Sequence, residues 1–165
     1  MLLFLKLGGL MARRNIITDD DPVLHKKCRE VVKFDEQLAL LIDDMGETLH
    51  SVENAAGLAA PQVGILRCVA VIDIGEGVIE LVNPQVIETK GKQFGPEGCL
   101  SYPNQYGNVE RPAYVKVKAY DRFGKPFFVK GEGLLARALC HEIDHLSGIV
   151  FLEKAKDLHQ VDSNY

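Results

Sequence analysis

The chain has 165 residues, 47% of them hydrophobic, and a formal net charge of −4. That length suits one domain with a continuous core. The acidic balance (pI near 5.7) argues against nucleic acid as a main partner, because phosphate binding needs a basic face. Lys26-Lys27 and Arg13-Arg14 read as solvated surface.

In chain order, the first ten residues (MLLFLKLGGL) are apolar but too short to cross a bilayer, and Lys6 interrupts them. Lys6 is also misplaced for a signal peptide, so no membrane partner is expected. Asp21-Pro22-Val23-Leu24 reads as extended, because proline restrains its predecessor. Residues 34–52 predict an amphipathic helix with Asp35 as cap, Glu36 in its first turn, and Leu38, Leu41, Ile42, Met45 and Leu49 at helical spacing. Residues 67–74 and 78–82 are β-rich and joined by Gly75-Glu76-Gly77, a hairpin pattern.

Gly95, Pro96, Gly98 and Pro103 mark a segment where backbone can approach a ligand closely. Residues 114–120 alternate cleanly, turn at Asp121-Arg122-Phe123-Gly124, and lead to a partner strand at 126–129. A last helix is predicted over 132–147, with Gly148 as its stop and Glu153 on a strand just beyond. Strands followed by one central helix indicate an α+β fold, its antiparallel or mixed sheets wrapped around that helix.

The last helix carries His141-Glu142-Ile143-Asp144-His145. Histidines four apart are rotated by only about 40° and separated by about 6 Å along the axis, so both imidazoles can grip one tetrahedral ion. The glutamate between them reaches a water on that ion and suits a general base. One protein ligand is missing. Glu153 and His159 are available, the latter in a polar tail with nothing obvious to hold it, but Cys99 is the better candidate. It lies between Gly98 and Leu100 in the Gly/Pro segment, and a thiolate suits a transition ion already held by two imidazoles. Ligand type permits Zn²⁺, Fe²⁺, Ni²⁺ or Co²⁺. Leu134, Ala138, His141 and His145 fall on one helical stripe. Cys28, Cys68, Cys99 and Cys140 form no Cys-x-x-Cys, and reduced thiols in a cytoplasmic protein are the expected state.

With Gly57-Leu58-Ala59-Ala60-Pro61-Gln62 and Glu97-Gly98-Cys99-Leu100-Ser101 preceding the histidine motif, the chain resembles the peptide deformylases over residues 14–152. These hydrolases remove the N-formyl group from the initiator methionine of new polypeptides. The resemblance implies the same α+β architecture, Fe²⁺ as the working metal, and N-formylmethionyl nascent chains as partners. It implies Gln62 and the Leu100 N–H as oxyanion donors, with Glu142 as the base. It also implies a methionine pocket walled by Ala56, Gly57, Leu134 and Ala138 and the edge of His141, substrate contact at Gly98, and a Glu97–Arg111 pair bracing the cysteine loop.

Relatives begin near Met11, so residues 1–10 read as an upstream extension and 11–165 as one catalytic domain; a surface-packed strand is the alternative for 1–10. Some relatives dock on the ribosome through a basic C-terminal helix, whereas this tail carries only Lys154 and Lys156. Three departures stand out: Ala55 for the first motif glycine, Cys140 before His141 where glutamine is common, and His25 where arginine is common, read as a surface residue. The competing readings are another His-Glu-x-x-His metallopeptidase, or an inactive metal-binding module that recruits Cys28, Cys68 or His159 as a fourth ligand.

Overall fold

A computed structural model describes residues 12–162, so the expectations for residues 1–10 and for Met11 lie outside the described residues. Asp35 caps helix α1 (Glu36–His50), its carboxylate accepting the Leu38 N–H at 3.0 Å. The strands are β1 (Gly57–Ala59), β2 (Val69–Ile72), β3 (Ile79–Lys90), β4 (Gln93–Cys99), β5 (Tyr102–Arg111), β6 (Tyr114–Tyr120), β7 (Pro126–Glu132) and β8 (Lys156–Gln160), with helix α2 (Gly133–Leu146) before the last. All ladders between them are antiparallel. They form one sheet in the order β1-β2-β3-β6-β7 and another in the order β4-β5-β8.

β2 shows how the layers meet. Its four residues are all buried, the pattern of a strand covered on both faces. Ala70 and Ile72 join the core under α2, with Leu139 and Leu146 of that helix and Val115, Val117 and Ala119 of β6. Val69 and Val71 face the other way, onto Leu38, Ile42, Met45 and Leu49 of α1. A third cluster (Leu24, Tyr102, Val109, Val150 and Phe151) ties the smaller sheet to the segment after α2. No helix among the described residues is long and apolar enough to cross a membrane.

Several sequence expectations are corrected. Asp21 is extended (ψ 137°), but Pro22–His25 forms a 3₁₀ turn, because proline's fixed φ also suits the first helical position. β3 continues past Val82 to Lys90 through a register shift between Val82 and Gln85. The Gly/Pro segment is no loop but the β4-β5 hairpin. Phe151–Glu153 is a 3₁₀ turn, not a strand. The polar tail is held after all: β8 pairs with β5, setting His159 opposite Tyr106. Arg14 is not simply solvated, since it pairs with the buried Asp44 at 2.9 Å.

α2 ends as its glycine predicts. Gly148 has φ +75°, its N–H bonding to His145 O at 3.1 Å and that of Ile149 to Asp144 O at 3.0 Å. A Cβ there would stand 2.6 Å from the carbonyl oxygen of His25. Gly148→Ala therefore combines an unfavourable left-handed backbone with a backbone clash. We expect a loss of more than about 2 kcal/mol and a fall in Tm of roughly 5 °C or more by calorimetry. A Tm within a degree of the parent would show that the 25–26 segment yields freely.

Candidate active site

Three elements converge on the helix stripe. α2 supplies His141, Glu142 and His145, all buried; the end of β4 supplies Cys99; the 3₁₀ turn Ala60–Val63 supplies Gln62. One ligand atom each from Cys99, His141 and His145 lies within 4.8 Å of the others. Cys99 Sγ is 3.4 Å from His145 Nε2. A tetrahedral ion with ordinary thiolate and imidazole bonds separates such atoms by about 3.5 Å. His141 Nδ1 is engaged by Glu97 Oε1 at 2.8 Å, which turns its other nitrogen toward Cys99 and His145. His145 Nδ1 is buried without a hydrogen-bond partner among the described residues, and burial drives this ring toward its neutral form. Neutral imidazole is the form that ligates a metal; with three ligand atoms converging, the geometry of the donor set fits a divalent ion with a fourth position left to solvent or substrate. His159 is on exposed β8 and Glu153 on the turn after α2; neither belongs to this group.

Glu142 is 4% exposed, and its Oε2 has no hydrogen-bond partner among the described residues. Burial pushes its carboxyl up to about 7. Gly57 makes the room: a Cβ there would come within 2.7 Å of Glu142 Oε1. Gln62 is equally constrained. Its Oε1 accepts the Ala59 N–H at 2.9 Å, which directs Nε2 toward Ser101 Oγ at 3.2 Å and Cys99 Sγ at 3.4 Å. The cleft above these groups encloses about 630 Å³, with Ala56, Gly57, Gly98, Leu100, Leu134 and Ala138 all on its walls. Leu134 stands at the mouth, 60% exposed, whereas Ala138 is 7% exposed at depth.

Beneath the cleft lies an ionic cluster that the sequence showed only in part. Arg111 grips Glu97 with two bonds of 2.8 Å and reaches Asp144 at 2.6 Å. Arg137 adds a 2.6 Å bond to Glu97 and a 3.0 Å bond to the Val109 carbonyl. Burial alone would raise the Glu97 carboxyl, but its bonds from Arg111 and His141 hold it well below the usual range. Arg137 escaped the sequence reading, as did the bond from Gln62 to Ser101, a residue noted only as part of the cysteine motif. The signal for Arg137 was its place one helical turn before His141, a charge on an otherwise apolar stripe. Ala55 carries no strain: the left-handed residue of that loop is Asn54 (φ 62°), a type that tolerates it. The four cysteines are free thiols, and burial pushes that of Cys28 up to about 12. Cys140 packs against the core under α2 and is not one of the three converging donors.

A histidine pair, a cysteine and a buried glutamate, at the foot of a cleft between two antiparallel sheets, define a metal-dependent hydrolase. The family model for polypeptide deformylase matches residues 13–161. The peptide deformylase of Alkaliphilus metalliredigens is 59% identical over 87% of this chain and 97% of its own length. That of Caldicellulosiruptor bescii is 57% identical over 87% and 86%. Among solved structures, the peptide deformylase of Legionella pneumophila superposes with a TM-score of 0.84 at 44% identity, covering 88% of each chain. The chain belongs to the polypeptide deformylase family, enzymes that hydrolyse the formyl group from N-terminal formylmethionine of nascent chains.

Proposed function

We propose that Cys99, His141 and His145 hold one divalent ion, Fe²⁺ in the cell with Zn²⁺, Ni²⁺ or Co²⁺ able to replace it, within a single catalytic domain spanning 11–165. The observation that carries this is the convergence of three ligand atoms within 4.8 Å beside a buried carboxyl. When bound, such an ion supplies Lewis acidity and an acidified water. Glu142 takes a proton from the attacking water and delivers it to the departing α-amine as the formyl C–N bond breaks, leaving formate and a free N-terminus. A carboxyl held near 7 is suited to both halves of that transfer.

Gln62 Nε2 and the Leu100 N–H donate to the oxyanion, each contributing about 2.7–4 kcal/mol. Support for Gln62 lies in the Ala59 bond, which fixes which end of the amide faces the cleft. The methionine side chain enters between Ala56, Gly57, Leu134 and Ala138, all on the cleft wall. β4 is an outer strand of its sheet, so an extended peptide can run along it at Gly98. The proposed location is the cytoplasm, consistent with four free thiols. Ribosome docking is left open: among the described residues the tail ends in a strand, Lys156–Gln160, where some relatives carry a basic helix.

The test is formate release from an N-formylmethionyl tripeptide by enzyme purified without oxygen and loaded with Fe²⁺ or Zn²⁺. Release faster with iron, and lost with Cys99→Ala, is expected. Equal rates with both ions would remove the iron assignment, and no release from folded, loaded enzyme would remove the whole reading. Gly57→Ala should leave the melting curve near its original place while lowering kcat at least tenfold, because the new methyl displaces the Glu142 carboxyl. An unaltered kcat would mean that Glu142 works equally well from another rotamer.

A further inference from the structure

We propose that the outer face of β3, β6 and β7 is a docking surface for single-stranded RNA. This face lies across the sheet from α2: Val115, Val117 and Ala119 of β6 are buried beneath that helix, which turns Lys116 and Lys118 outward. Register places Lys118 opposite Phe128, Lys116 opposite Lys130, and Lys90 opposite Tyr114. The result is a lattice of cations and rings. Lys90 Nζ stands 5.1 Å from the Tyr114 centroid, Lys116 Nζ 4.8 Å from that of Phe128, and Lys118 Nζ 5.9 Å from that of Tyr120.

Four lysines share the face with two carboxylates, Glu88 and Glu132. Glu88 is engaged with Lys90 at 3.2 Å, and Lys116, Lys118 and Lys130 form no ion pair among the described residues. Lys116 stands between Glu88 of β3 and Lys130 of β7, so one carboxylate offsets only part of the repulsion between the opposed lysines, and an anionic partner offsets the rest. The chain as a whole is acidic, so its net charge conceals this local excess. An acidic peptide or a lipid headgroup would satisfy the lysines but has no use for the rings. Phe128 is 56% exposed, and a sheet presenting aromatic faces beside cations stacks unpaired bases while holding their phosphates. β6 offers a track of roughly 20 Å.

The cleft is lined by none of these residues, so binding and deformylation are separable. The experiment is fluorescence anisotropy of a short, labelled, mixed-sequence RNA single strand with the full-length protein, titrated from about 50 to 200 mM salt. Saturable binding is expected, with a log–log salt slope of about −2 for three phosphate contacts. Lys116→Gln with Lys118→Gln should weaken binding at least tenfold and flatten the slope to between about −1 and zero, and Phe128→Ser should weaken it about tenfold without changing the slope. Formate release should stay at the parental rate in both. Should the double variant lose activity, Lys130→Gln on the exposed edge strand takes its place. No saturable binding, an unchanged slope in the lysine variant, or binding to anionic phosphatidylglycerol vesicles in preference to RNA would each overturn the proposal.

Discussion

Glu142→Gln should lower formate release by about 10²–10⁴-fold while metal content stays at the parental level. Glutamine keeps the shape that Gly57 accommodates and removes the carboxyl proposed to take and return the proton. The protein should not lose stability. The native carboxyl is buried with one oxygen unpartnered among the described residues, and burial raises it to about 7. A raised carboxyl binds its proton more readily folded than unfolded, so ionising it costs stability. That cost begins near the ordinary value of about 4.3 and is complete above about 7. After chelation, Tm at mildly alkaline pH is therefore expected to be equal to or above that of the parent. A large fall in Tm would mean that Glu142 supports the fold through a contact formed only by its charge.

Arg111→Ala should be the most damaging single change to the site's foundations. Arg111 is 3% exposed and holds Glu97 by two bonds and Asp144 by one. Its removal leaves a buried carboxylate with only Arg137 and His141 beside it. Breaking a buried pair from one side typically costs about 3–5 kcal/mol, and Glu97 also orients His141, a proposed metal ligand, so retention of metal should fall with stability. Glu97 is held below its ordinary value in the fold. The stability this network adds is thus fully present above about pH 4.3 and is lost as pH falls through the lower folded value. In Arg111→Ala the acid limb of the stability curve should be shallower. Denaturant unfolding across pH, with metal content measured alongside, tests both arms; unchanged metal content would confine Arg111 to stability.

What could be read from the sequence was what local chemistry announces. The Asp35 cap and its apolar spacing gave α1, alternation gave β6, and histidines four apart gave the inward stripe of α2. β4 and β8 had no such voice. β4 contains Gly95, Pro96 and Gly98, which intrinsic preference assigns to turns. Its strand character comes from pairing with β5, and Gly98 is there because Tyr106 leaves no room: a Cβ would sit 2.8 Å from its ring. β8 (KDLHQ) is exposed at every position, so no buried face imposes a pattern. Glu97 illustrates the other kind of silence. Its buried position follows from strand alternation, but that it serves Arg111, Arg137 and His141 at once depends on residues up to 44 positions away. The role proposed for Gln62 likewise emerges only where the Ala60–Val63 turn meets the end of β4.

β2 carries a consequence for how the molecule comes apart. Because its alternate side chains are buried under different helices, neither layer can lift away without stripping apolar cover from the strand that the other still holds. Local opening is therefore restricted to the rim, and the amides of β2 should exchange with solvent only through global unfolding. Gly57–Ala59 is laced to β2 along its whole length. The arm of the cleft that faces Glu142 thus shares the lifetime of the most protected strand, and the catalytic geometry is lost together with the fold rather than before it.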